Sequence, residues 1–251
     1  MPDYTPGGGS TATTIKRNLW DTPATAHSYD EEFEGPITWN SGSDGGWWYT
    51  NSGTSGSYAT TAIDKYTAYN SGDMRVHTNE THTPSWLRVQ PPQDDNMHVL
   101  ARKITFPTNM LVYCRFRISQ HIGNTVNDNP QFSLQIGTYD NQDRNYIAMD
   151  IDGGGTYAIS RRNDSDGGGY AFLTTTTDVD SQGQAIEYLG VHKVGNTYHY
   201  WAGTESNWIY MGSYTNVYTP EVMKLGFSTD TQDHIFGVDF VRFIETDEFP
   251  F

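Results

Sequence analysis

Asp239 stands among Val238, Phe240, Val241 and Phe243 in the run GVDFVRFIE near the end of the chain. A carboxylate buried in such a run costs several kcal/mol unless something answers it. Four other groups have residue types suited to chemistry. Asp150 and Asp152 share one face of NYIAMDID, opposite Ile147, Met149 and Ile151, and lead into the Gly153–Gly155 turn. That placement reads as a solvated strand face. His192 and His199 face each other across a hairpin, but zinc needs at least a third ligand, so they read as an exposed pair. DSDGGG, Asp164 to Gly169, begins like a calcium loop and lacks the later ligands, which leaves a glycine-rich turn. Cys114 falls in an apolar alternation and reads as an inert core thiol.

The aromatic residues point to binding. Trp47, Trp48 and Tyr49 in GGWWYT, and Trp201 and Trp208 in YHYWAGTESNW, offer flat apolar faces of the kind sugars stack on. Trp86, in SWLRVQ, reads as ordinary core.

These residues need strands to position them. MLVYCRFRIS alternates, with Val112, Cys114, Phe116 and Ile118 on one side and Tyr113, Arg115 and Arg117 on the other. QFSLQIG repeats the pattern with Phe132, Leu134 and Ile136. VHKVGNTYHYW folds back at Gly195–Asn196, a two-residue turn signal. Further strands are expected at SWLRVQ, HVLARKITF, TYAISRR, WIYMG, VMKLGFST and IFGVDFVRFI. Short strands at regular spacing, with no helical period between them, predict an all-β sandwich or barrel.

The division expected is an extended N-terminal arm over 1–28, one domain over 29–246 and a tail over 247–251. The arm is rich in Pro, Gly, Ser and Thr and has one apolar knot, Leu19–Trp20, which suits it to assembly on a neighbouring subunit.

The 251 residues carry a net charge of −15, which disfavours nucleic acid and anionic membrane surfaces as partners. No window approaches the roughly 18 apolar residues of a membrane-spanning helix. The opening MPDYTPGGGSTATT has no apolar segment of a signal peptide. A single cysteine excludes an internal disulfide framework. The expectation is a protein made in the cytoplasm that reaches the outside, if at all, by cell lysis.

YDEEFEG at Tyr29–Gly35 resembles the opening stretch of concanavalin A-like lectin and glucanase domains, and VDFVRF at Val238–Phe243 resembles their closing strand. WLRVQPP, HVLARKI, VHKVGNTYHYW, NWIYMGS and VMKLGFS follow in the order of that jelly roll. The resemblance implies two stacked antiparallel sheets. It also implies a structural calcium ion shared by Glu32, the Gly35 carbonyl and Asp239, a reasonable set for a hard cation; the alternative, backbone amides alone, stays open. Glucanases of this fold place catalytic carboxylates as Glu-x-Asp-x-(x)-Glu on one strand, the retaining pair about 5 Å apart. AMDID, Ala148 to Asp152, has alanine in the first catalytic place and only Asp152 near the last. The strand QIG, Gln135 to Gly137, lacks the histidine of similar lyases. No catalytic residues are therefore assigned.

The function these features imply is a non-catalytic structural component of a bacteriophage virion: a decoration, fibre or tail-associated protein. WLRVQPPQDDNMHVLARKI also resembles lectin-like stretches of phage structural proteins. Its expected partners are other virion proteins, copies of itself and host-surface polysaccharide. The alternatives are a bacterial carbohydrate-binding module and a polysaccharide hydrolase or lyase.

Overall fold

The structure is a computed structural model that describes residues 27–33, 45–51, 75–78, 87–91, 97–119, 130–138, 144–151, 157–164, 186–204, 207–229 and 235–251. Leu19, Trp20, Gly35, Trp86 and Asp152 lie outside them, as does 165–169 of the glycine-rich turn, and so do the side chains of Trp48, Tyr49, Asp150 and Asp164.

The described strands are β1 (Trp47–Asn51), β2 (Arg75–Thr78), β3 (Leu87–Gln90), β4 (His98–Lys103), β5 (Asn109–Ser119), β6 (Gln131–Gly137) and β7 (Arg144–Ile151). They continue as β8 (Tyr157–Asp164), β9 (Tyr188–Val194), β10 (Thr197–Gly203), β11 (Trp208–Thr215), β12 (Val222–Ser228) and β13 (Ile235–Ile244). Six form one sheet, in the order β1-β4-β12-β6-β7-β8, and seven the other, β11-β10-β9-β5-β13-β3-β2. The pairings are antiparallel throughout.

The two sheets pack face to face because each strand turns alternate apolar residues inward. Val112, Cys114 and Phe116 of β5 enter one core with Phe132, Leu134 and Ile136 of β6, as the alternation predicts. Phe116 stacks on Phe132 across the gap, ring centroids 4.4 Å apart and 15° from parallel. Burial pushes the Cys114 thiol well up, which makes it an inert packing group. One polar chain crosses this core: Tyr200 donates to Asn145 Oδ1 (2.9 Å), Asn145 donates to the Tyr218 hydroxyl (2.7 Å), and that hydroxyl donates to the Ile136 carbonyl (2.8 Å). Each group buried there is answered, so the chain fixes one packing without the cost of an orphaned polar atom.

The hairpin expected at Gly195–Asn196 joins β9 to β10, with Gly195 in the left-handed region at φ +58°. β1 and β2 are two strands that the alternation did not single out.

Candidate functional site

The opening and closing segments meet. Glu31 pairs with Val241 through two backbone hydrogen bonds, 2.9 and 2.8 Å. Asp30 accepts from the amides of His27 (2.9 Å) and Phe243 (2.8 Å), and burial raises its carboxyl above the usual value against both bonds. The side chain that accepts amides across this junction is therefore Asp30.

Asp239 is solved differently. Between Val238 and Phe240 the pairing of β13 with β5 slips by one residue, leaving Asp239 as the extra residue of a bulge. Phe236 and Val238 point into the core before the slip, Val241 and Phe243 after it. Asp239 accepts from Arg115 Nη1 at 3.1 Å, and Arg115 also donates to Glu187 at 3.1 and 3.2 Å. Burial raises the Asp239 carboxyl above its usual value, and a guanidinium shared with Glu187 only partly offsets this. Beside it, Arg242 grips Glu32 through Nε (2.6 Å) and Nη2 (2.9 Å) and lies over the Phe240 ring, 4.0 Å from its centroid.

The calcium expected between Glu32, the Gly35 carbonyl and Asp239 would share its two carboxylates with Arg242 and Arg115, and Gly35 lies outside the described residues. A dication there would have to compete with both guanidiniums, one of them shared between Asp239 and Glu187. Among the described residues no three acidic, histidine or cysteine side chains gather as a metal cage.

The outer face of the seven-stranded sheet is aromatic. Leu111, Tyr113, Tyr188 and Phe240 form a second apolar cluster there, with Trp208, Ile244, Phe249 and Phe251 packed on it. Trp201 lies opposite Gly190 on β9 and Tyr210 on β11. The Trp208 ring rests over Gly203 and Gly190, where an added Cβ would come within 3.0 and 3.4 Å of it. These two glycines make room for the indole.

The end of the chain then crosses this face. Phe249 stacks on Trp201, centroids 3.7 Å apart and 10° from parallel. Phe251 lies parallel to Trp208 at 5.6 Å and edge-on to Tyr113 at 5.2 Å. His192 and His199 are paired across the hairpin as the sequence implies, but they are not an exposed pair. His192 is 3 % exposed under the tail and bonds through Nε2 to the Thr246 carbonyl at 2.9 Å. Burial lowers the pKa of both histidines.

Of the residues predicted to meet a glycan, Trp201 and Trp208 come together on this face. Trp47 does not join them. It is 1 % exposed in the main core, beside Phe33, and donates to Glu31 at 3.3 Å. Tyr113, Tyr188, Tyr210, Phe249 and Phe251 belong to the face and were missed; the alternation of Phe249 and Phe251 around Pro250 is the signal that could have found the last two.

No protein-family model matches the sequence, and no curated protein matches it. Solved structures do. The CBM2 module of the evolved Dit of Lactobacillus casei BL23 phage J-1 superposes with a TM-score of 0.56 at 10% identity, over 89% of this chain and 98% of that one. The chain shares the fold of that module, an antiparallel two-sheet jelly-roll sandwich. A xylan β-1,4-xylosidase from Bacillus halodurans C-125 superposes with a TM-score of 0.53 at 15% identity, and the xyloglucan PUL GH43B of Bacteroides ovatus with 0.50 at 11%. Each covers 91% of this chain, which spans only 41% of the length of either.

Proposed function

We propose that the chain is a non-catalytic, lectin-like carbohydrate-binding domain displayed on a bacteriophage virion as a decoration, fibre or tail-associated component. The observation that carries this reading is the likeness to the phage Dit module. That likeness runs through nearly the whole of both chains, 89% of this one and 98% of the module. The aromatic outer face, with two indoles set for ring stacking, supplies a surface of the right chemistry. Glycan arrays carrying bacterial cell-wall and capsular polysaccharides, with xylan and β-glucans beside them, test it. Retention of at least one glycan is expected, and no binding to any of them would overturn the reading. The arm with Leu19 and Trp20 would attach the domain to neighbouring subunits, so a chain starting at Tyr29 should fold and fail to join particles.

A second reading, a polysaccharide hydrolase, is favoured by the two glycosidase likenesses, but this chain matches only a part of each. Ala148 also takes the place of a catalytic acid and is fully buried. Incubation with the arrayed polysaccharides should release no reducing ends. Turnover that Asp150→Asn abolishes would promote the hydrolase.

A further inference from the structure

The cover over the outer aromatic face has the geometry of a ligand. Phe249 lies 10° from parallel to Trp201 with centroids 3.7 Å apart, which is how a flat apolar ring sits on an indole, and Phe251 lies 11° from parallel to Trp208 at the longer distance of 5.6 Å. Neither phenyl ring belongs to the interior between the sheets. We propose that this face is a pyranose-stacking site and that Phe249 and Phe251 occupy the places of two sugar rings, covering the site until a glycan displaces them. The inference rests on the carbohydrate-binding reading above.

Two further observations point the same way. Trp208 Nε1 is buried without a hydrogen-bond partner among the described residues. A sugar hydroxyl within reach of this donor would accept from it, which neither phenyl ring of the tail can do. The tail is also lightly tethered. The ladder of β13 ends at Ile244, and beyond it the described side-chain bonds to the body of the domain are His192 to the Thr246 carbonyl (2.9 Å) and His27 to Glu245 (3.4 Å). Among the described residues the rest of the hold is ring contact and the charge of Asp247 near His192, so the segment can leave without opening a strand pair.

The test uses the full chain, its Phe249→Ala/Phe251→Ala form, and the same form carrying Trp201→Ala, probed with the arrayed polysaccharides and with xylohexaose, cellohexaose and laminarihexaose. If the cover is open in about one molecule in ten, removing it raises apparent affinity about tenfold. Trp201→Ala then abolishes the gain. Acrylamide quenching of tryptophan fluorescence should rise in the uncovered form, a readout independent of any glycan. Phe249→Leu keeps apolar volume without the planar ring and should give a smaller gain, which preserves the test if the double variant folds poorly. Equal affinity with and without the two rings would overturn the cover while leaving carbohydrate binding intact. No binding by any form overturns both. A change of oligomeric state on removing the rings would make the tail a clasp between copies, and that also overturns the proposal.

Discussion

At Asp239 a one-residue slip of β13 turns the carboxylate to the outer face beside Arg115, while the apolar residues on either side keep facing the core. The sequence showed that this aspartate needs a partner. It also carried the slip, as the change of phase from Phe236 and Val238 to Val241 and Phe243, but a bulge is a property of pairing and strict alternation cannot express it. The identity of the partner was not legible, because Arg115 lies 124 residues away. Two predictions belong at this scale. Arg242→Ala removes both bonds to Glu32 and should destabilise by about 1–3 kcal/mol in urea unfolding. Glu32→Gln should cost less, since the Glu32 side chain is 39% exposed against 7% for Arg242. With both carboxylates held by arginine, neither calcium nor chelator should move the melting temperature. A calcium-dependent rise that Asp239→Asn removes would restore the ion.

The strands were the most legible elements. β5, β6 and the β9–β10 hairpin announce themselves by period-2 alternation and a Gly-Asn turn, both local signals. β1 was hidden because WWYT shows no alternation of apolar and polar residue types in the sequence, and it forms by pairing with β4. The tail was hidden for the opposite reason: its packing depends on a surface assembled from β5, β9, β10, β11 and β13, which no local pattern describes. Two glycines separate local from tertiary causes by experiment. Gly195→Ala meets nothing within 4 Å but must hold φ +58°, and should cost about 1–2 kcal/mol. Gly226→Ala drives a methyl group against Ser133 Oγ, and to 2.7 Å from Met97 Sδ and 2.8 Å from Gln135 Nε2, for about 1–3 kcal/mol. Asparagine, which tolerates the left-handed region, should recover most of the loss at position 195 and deepen it at 226. Recovery at both would mean the crowding around Gly226 relaxes.

Taken whole, the molecule is a two-sheet sandwich with a partial third layer, the tail over the seven-stranded sheet, and that layer makes stability respond to acid. His192 lies under the tail, with His199 at 6.1 Å, Phe249 at 6.3 Å and the charge of Asp247 nearby. Burial lowers its folded pKa below the ordinary 6.5, against the opposing pull of the Thr246 carbonyl and Asp247; burial and the neighbouring His192 lower that of His199. The unfolded chain therefore takes up protons below pH 6.5 that the folded chain resists. The stability contributed by the two histidines is fully present above that pH and is lost as the pH falls toward the folded values. Asp30 and Asp239 act in the other direction: their raised carboxyls favour the folded state below the ordinary 3.8, and that gain is lost as the pH rises through their folded values. The histidine loss sets in as the pH falls through 6.5, whereas the aspartate gain is complete only below 3.8. The melting temperature should fall between about pH 7.5 and pH 5, and His192→Gln/His199→Gln should flatten that fall while leaving the more acidic part of the profile in place. An unchanged slope in the double variant would move the acid sensitivity to other groups and remove the tail's histidine contact as its cause.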